Sequence, residues 1–121
     1  MQKIIIATNN DKKLNEIKSL MHMSNINFCS LSDLNIDSCP EPFDTFIENA
    51  LAKARHASKN TGLPAIADDS GICVDALEGK PGIRSARYAS LTATDKENIT
   101  KLLENLNGET NRKAHFYCSM V

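Results

Sequence analysis

The chain has 121 residues, a formal net charge of −1 and 24% charged residues, which is the composition of an ordinary globular protein. This length fits one domain and is short for two. A near-neutral charge gives no support for non-specific binding to nucleic acids, which usually needs a basic excess. No apolar stretch approaches the ~18 residues of a membrane span, and no signal peptide is evident. We therefore expect a cytoplasmic protein with no membrane and no nucleic-acid partner.

The first thirty residues predict a strand, a helix and a second strand. Residues 3–7 are a continuous apolar run bounded by turn residues, as in a strand buried on both faces. The helix over 11–22 begins after Asn9 and Asn10, either of which can cap it. A weaker strand follows at 26–31. The predicted buried stripe of the helix is Leu14, Ile17, Leu20 and Met21.

The middle of the chain predicts a loop, a longer helix and a short strand. The loop covers 32–43 and the helix roughly 45–60. Thr45 and Glu48 have the spacing of a capping box, in which each side chain bonds the other's free backbone N–H group. The strand at 65–67 runs directly into an acidic segment.

The last third predicts a second apolar run at 72–77, a Gly/Pro-rich loop at 78–90, a third helix and a core strand at 113–121. Thr94 and Glu97 form another capping box at the start of this helix. Taken in order, the elements predict an α/β domain. The predicted buried stripe of the third helix is Ile99, Leu102, Leu103 and Leu106.

The segment Thr8-Asn-Asn-Asp-Lys-Lys13 could hold an anion. A strand that turns directly into a helix leaves backbone N–H groups at the positive end of the helix dipole. Lys12 and Lys13 lie in the first turn, where that dipole disfavours cations, so an anion between them would explain their position. The alternative is an asparagine-capped helix with solvated lysines, and this segment alone leaves the two interpretations nearly even.

The acidic segment, ADDSG, suggests a metal ion. Asp68 and Asp69 come at the end of a strand, where open α/β sheets usually bind ligands. Mg²⁺ prefers hard oxygen ligands and shares them with substrate phosphates. Adjacent carboxylates also repel each other unless a cation is bound. The alternative is a polar turn in which an aspartate caps the backbone.

The segment EPFDTFIENALAKA gives weaker signals. Glu41 and Asp44 precede the second helix, and Asn49 and Lys53 are four residues apart on one face of it. Lys53 could equally be a solvated surface lysine. The residues by themselves thus predict an α/β domain that binds a phosphorylated ligand with Mg²⁺, and they do not identify the bond that is cut.

Four ordered motifs give the chain a family resemblance: ATNNDKKLNEI, TFIENALAKARHA, IADDSGICVDAL and PGIRSARYA. In this order they closely resemble the inosine triphosphate pyrophosphatase family over essentially the whole chain. The resemblance implies a mixed sheet flanked by helices, forming the first lobe of a two-lobed fold with a central cleft. It implies Mg²⁺-dependent hydrolysis of the purine nucleoside triphosphates ITP, dITP and XTP to the monophosphate and pyrophosphate. A homodimer is also implied for the full-length protein.

The same resemblance assigns roles to individual residues. Asp68, Asp69, Lys13 and Lys53 become catalytic; Asp69 also binds the metal with Glu41 and is the base that activates water. Many relatives have glycine where this chain has Asn9. The substrate-binding residues that the resemblance implies are Thr8, Asn9, Asn10, Asp11, Lys12, Lys13, Lys53 and Ser70.

The sequence differs from the family in lacking two of the family's later segments. Family members are longer, with a Phe-Gly-Tyr-Asp-Pro segment and a later Ser-His-Arg that recognise the base, and neither occurs here. We therefore expect residues 1–121 to be a single but incomplete domain. The alternative function is a catalytically impaired module that only binds a nucleotide or phosphate. A receiver-like signalling domain is disfavoured, because it would carry acids where this chain has Asn9 and Asn10.

Overall fold

A computed structural model describes residues 2–8, 10–21, 25–37 and 39–121. The chain divides into two compact units, residues 1–68 with 119–121 and residues 69–118. The single domain expected from the sequence stays a prediction. Among the described residues, no helix is long and apolar enough to cross a membrane.

The first unit contains a three-stranded parallel sheet with β1 at its centre, in the order β2-β1-β3. In register, Ile5 of β1 faces Cys29 of β2 on one side and Ala65 of β3 on the other. Because these strands run parallel, their carboxyl ends lie at one edge of the sheet. The main elements of this unit are β1 (Gln2–Ile6), α1 (Asp11–Leu20), β2 (Ile26–Ser30), α2 (Phe46–Thr61) and β3 (Ala65–Ile66).

The core of the first unit is built from β1 and small residues of α2. Ile5 and Ile6 are fully buried, which confirms the strand predicted from the apolar run. The side chains of Ala54 and Ala57 are single methyl groups, so α2 can pack closely in this core. The core cluster consists of Ile5, Ala7, Leu31, Ala54, Ala57 and Ala67.

The predicted stripe of α1 is only partly buried. Ile17 is buried, but Leu20 is exposed. The helix ends at Leu20, earlier than expected. Leu20 therefore sits on the last turn, beyond the part that packs on the core. Residue 22 of the predicted helix lies outside the described residues.

The second unit contains a two-stranded sheet and one α-helix. The acidic segment, which the sequence places at the end of a strand, forms the start of β4 at Asp68. The loop expected over 78–90 contains a 3-10 helix, Gly82–Arg87. The main elements are β4 (Asp68–Val74), α3 (Asp95–Asn105) and β5 (Ala114–Met120).

One burial prediction in the second unit is wrong and another is only partly correct. Of the stripe predicted for the third helix, Ile99 and Leu103 are exposed, whereas Leu106 is buried. The predicted core strand, β5, is exposed along almost its whole length, and Phe116 is among its exposed residues. These side chains are apolar, but no neighbouring element of the unit covers them.

The start of α3 confirms the predicted capping box. The Thr94 hydroxyl accepts a hydrogen bond from the Glu97 N–H group at 3.2 Å, and the Glu97 carboxylate accepts one from the Thr94 N–H group at 2.9 Å. The bonds from Thr94 lower the pKa of the Glu97 carboxyl. Their contribution to stability is therefore present above the ordinary pKa of glutamate and is lost as the pH falls through the lowered value.

Gly71 of β4 packs directly against the 3-10 helix, and we expect Gly71→Ala to be strongly destabilising. An added Cβ would overlap the carbonyl oxygen of Gly82 and the hydroxyl of Ser85. Ser85 cannot simply turn away, because its hydroxyl donates to Gly82 O at 2.6 Å and accepts from the Ile72 N–H group at 2.9 Å. Such overpacking costs about 1–3 kcal/mol, measurable by urea unfolding.

Gly108→Ala is a useful comparison for that measurement. Gly108 has a φ of +83°, but nothing lies within 4 Å of an added Cβ. The loss of stability in Gly108→Ala therefore measures backbone strain alone. If Gly71→Ala unfolded at the same urea concentration as the unchanged chain, the close packing of β4 on the 3-10 helix would be wrong.

Candidate functional site

The turn after β1 is a capped helix start. The Thr8 hydroxyl accepts a hydrogen bond from the Asn10 N–H group at 3.1 Å. The side-chain oxygen of Asn10 accepts from the N–H groups of Lys12 at 3.0 Å and Lys13 at 3.2 Å. Asn10 therefore occupies two backbone donors that an anion would otherwise meet at this helix end. Asp11 is exposed, and Asn9 lies outside the described residues.

Lys13 does not point into solvent but pairs with Asp68. Its ammonium nitrogen lies 2.9 Å from Oδ2 of the aspartate, across 55 residues of sequence. The topology explains the contact, since Lys13 follows β1, Asp68 follows β3, and these adjacent parallel strands end at the same edge. The two side chains differ in burial: 30% of Lys13 is exposed, against 6% of Asp68.

A second ion pair joins Lys53 of α2 to Glu41. The ammonium nitrogen lies 2.8 Å from Oε1, and the two side chains are 16% and 18% exposed. Lys53 is therefore not a solvated surface lysine. Both of the predicted catalytic lysines are thus held by carboxylates within the first unit.

The segment that carries Glu41 lies along α2. We call this segment, residues 37 and 39–43, the strap. One end is held by the His56 ring, whose Nε2 atom lies 2.9 Å from the carbonyl oxygen of Asp37. The other end is held by Asn49, which bonds both backbone groups of Phe43. The Glu41–Lys53 pair lies between these two attachments in sequence.

Asn49 is the residue whose role the sequence did not reveal. Its position on the same helix face as Lys53 was predicted, but its contact with the strap was not. A usable signal was present, because a polar residue buried next to alanines must find hydrogen-bond partners. Asp44, by contrast, is exposed.

The other predicted residues lie in or at the start of β4. Asp69 is buried and Ser70 is half-buried, and both belong to the second unit. Their predicted roles stay predictions.

A comparison with known protein families decides the classification. The profile of the Ham1 family matches residues 4–121, nearly the whole chain. The chain belongs to the Ham1 family. The resemblance seen in the four sequence motifs is thereby confirmed.

Curated relatives support this assignment. The chain is 54% identical over 121 residues to a dITP/XTP pyrophosphatase of Nitrosomonas europaea. It is 50% identical over 123 aligned residues to a dITP/XTP pyrophosphatase of Escherichia coli K12. The alignments cover 100% of this Ham1-family chain in both cases, but 60% of the first relative and 62% of the second.

Solved structures show the same fold. A HAM1 protein from Coxiella burnetii superposes with a TM-score of 0.90 at 43% identity, covering 99% of this chain and 62% of that one. The Ham1 protein of Staphylococcus aureus gives a TM-score of 0.85 at 40% identity, covering 98% and 62%. The predicted α/β class, with sheets flanked by helices, is confirmed.

Proposed function

We propose that this Ham1-family protein hydrolyses non-standard purine nucleoside triphosphates, namely ITP, dITP and XTP, to the monophosphate and pyrophosphate. The names of its relatives support this substrate class. The observation that carries the proposal is the pair of lysine–carboxylate contacts, Lys13 with Asp68 and Lys53 with Glu41. A triphosphate needs several fixed cations, and this unit holds two in place.

The ion pairs can exchange partners when a ligand binds. An ammonium group 2.8–2.9 Å from a carboxylate oxygen has the same geometry that it needs for a phosphate oxygen. In this proposal Lys13 and Lys53 take phosphate oxygens as partners and reduce the charge that builds up during the reaction. Asp69 orients and deprotonates the water that attacks the α-phosphorus, and pyrophosphate leaves.

A divalent cation, Mg²⁺, fits the donor chemistry of this chain. Among the described residues, no group of three or more His, Cys, Asp or Glu side chains gathers as metal ligands would. Mg²⁺ is, however, commonly held by one or two carboxylates together with substrate phosphates and water. We propose Glu41 and Asp69 as those carboxylates. When bound, the ion would neutralise part of the triphosphate charge.

The remaining parts of the proposal concern the whole protein. We propose a cytoplasmic homodimer whose partner is a small-molecule nucleotide, without a nucleic-acid or membrane partner. Relatives in the family act on purine nucleotides by name, which supports the small-molecule partner. The oligomeric state can be tested by sedimentation.

The proposal predicts selective release of pyrophosphate. The chain is incubated with Mg²⁺ and, separately, ITP, XTP, dITP, ATP or GTP, while pyrophosphate and orthophosphate are measured independently. We expect pyrophosphate, and no orthophosphate, from ITP, XTP and dITP. Release of orthophosphate would contradict the proposed reaction.

Two variants make this assay specific to the site. Asp69→Asn removes the proposed base and should lower turnover at least ~100-fold. Lys59→Met removes an exposed lysine from the last turn of α2 and should leave turnover unchanged. If the unchanged chain binds ITP but releases no product, the binding-module alternative is supported instead.

A further inference from the structure

Asn49 is buried near the start of α2, and its amide bonds both backbone groups of one residue, Phe43. Its side chain is 1% exposed. Its oxygen accepts from the Phe43 N–H group at 3.0 Å, and its nitrogen donates to the Phe43 carbonyl at 3.1 Å. These two hydrogen bonds resemble the backbone pairing between adjacent strands. They therefore fix both the position and the direction of the strap at Phe43.

The strap carries that constraint to Glu41. Pro40 and Pro42 flank Glu41, and each proline restricts its own φ and keeps the preceding residue extended. Glu41 is thus only two residues from the fixed point, along a stiff piece of chain. The attachment of Asp37 to His56 holds the other end.

The same helix supplies the lysine. Asn49 and Lys53 are four residues apart, one helical turn, so the anchor of the strap and the cation that meets Glu41 share one rigid element. We propose that Asn49 is a positioning residue, which holds Glu41 within reach of Lys53 and, where the proposed function applies, of the bound phosphate and cation.

The chemistry of the amide accounts for asparagine at this place. Aspartate has nearly the same shape and can still accept from the Phe43 N–H group, but it has no donor for the Phe43 carbonyl and adds a buried charge. Leucine has a similar size and loses both bonds. Asn49→Asp and Asn49→Leu therefore remove one or both bonds without opening a large cavity.

The first test does not depend on catalysis. The coupling between Glu41 and Lys53 is measured by a double-mutant cycle of Glu41→Gln and Lys53→Met in urea unfolding. With Asn49 present, we expect a coupling of roughly fivefold in the unfolding equilibrium constant, as for a partly buried pair. In the Asn49→Leu background, the coupling should disappear. An unchanged coupling in that background would overturn the proposal.

A control must separate positioning from simple loss of stability. Asn98 of α3 is a half-buried asparagine of the second unit that also bonds backbone groups, accepting from the Ala89 N–H group at 2.9 Å and donating to the Ala86 carbonyl at 3.0 Å. Asn98→Asp should lower stability but leave the Glu41–Lys53 coupling intact. Equal loss of coupling in Asn98→Asp would also overturn the proposal. If Asn49→Leu fails to fold, Asn49→Asp is used, with a reduced coupling expected.

The second test separates this inference from the proposed function. In the pyrophosphate-release assay with ITP, Asn49→Asp should raise the Mg²⁺ concentration for half-maximal rate about tenfold, and should have no added effect on top of Glu41→Gln. Additive effects of the two changes would contradict positioning through Glu41. If the unchanged chain shows no turnover while the coupling still depends on Asn49, the proposed function fails and the positioning role stands.

Discussion

Replacing Lys13 with methionine is expected to destabilise the protein more than replacing Asp68 with asparagine, although both changes break the same ion pair. Lys13→Met leaves a carboxylate that is only 6% exposed and has lost this cation. Asp68→Asn leaves a lysine that is 30% exposed and reaches water. Loss of one member of a buried pair costs about 3 kcal/mol, whereas an exposed partner recovers most of its solvation and costs about 1 kcal/mol.

Urea unfolding at neutral pH measures this asymmetry. The double variant, Lys13→Met with Asp68→Asn, should be more stable than Lys13→Met alone, because the buried charge is then removed. Lys12→Met is the matched control, since Lys12 is exposed and one residue away. If Lys13→Met and Asp68→Asn lowered the free energy of unfolding equally, Asp68 would be better hydrated than its burial indicates. Both single variants should also lose turnover of ITP, by at least ~100-fold.

The Lys13–Asp68 contact shows what sequence can supply to a site. The sequence points to each residue separately: to Lys13 because the helix dipole disfavours a cation in the first turn, and to Asp68 because it follows a strand. Their pairing follows only once β1 and β3 are known to be neighbours in a parallel sheet. That neighbour relation is set by non-local packing of Ile5 and Ala65, which no local pattern encodes.

Burial in the second unit was less predictable for a related reason. The periodic apolar residues of α3 and β5 correctly indicated a helix and a strand. Periodicity identifies the face that can be buried, but burial also requires an element to pack on that face. Leu106 is buried, whereas Ile99 and Phe116 are exposed.

The strap was predictable as irregular structure and unpredictable as a functional element. Its two prolines exclude a helix or a central strand, so the loop over 32–43 was largely correct, apart from a short 3-10 helix at Ser32–Leu34. Apart from the Glu41–Lys53 pair, its described hydrogen bonds with His56 and Asn49 involve backbone groups of Asp37 and Phe43, which carry no signature in the sequence. Only Asn49, a polar residue next to alanines on α2, indicates from the sequence that such contacts exist.

We expect Glu41→Gln to change the affinity for inorganic pyrophosphate in opposite directions with and without a divalent cation. Without divalent cations, the Glu41 carboxylate competes with phosphate for the Lys53 ammonium group, 2.8 Å away. Glu41→Gln should therefore strengthen binding of inorganic pyrophosphate about tenfold in EDTA, since one unfavourable negative charge is removed. With Mg²⁺ present, the same change should weaken binding, because Glu41 is a proposed ligand of the ion.

Isothermal titration with pyrophosphate, in EDTA and in Mg²⁺, tests both halves of this prediction. Lys53→Met should weaken binding under both conditions, since it removes the cation that phosphate needs. Glu48→Gln is the control, because Glu48 is exposed and its carboxylate accepts a hydrogen bond from the Thr45 hydroxyl at 2.7 Å. Stronger binding of Glu41→Gln in both conditions would exclude Glu41 as a metal ligand, and weaker binding in both would exclude competition for Lys53. If Glu41→Gln strengthens pyrophosphate binding in EDTA and weakens it in Mg²⁺, Glu41 must have both proposed roles. Its carboxylate then pairs with Lys53 in the free protein, where it opposes binding, and with the cation in the complex, where it supports binding.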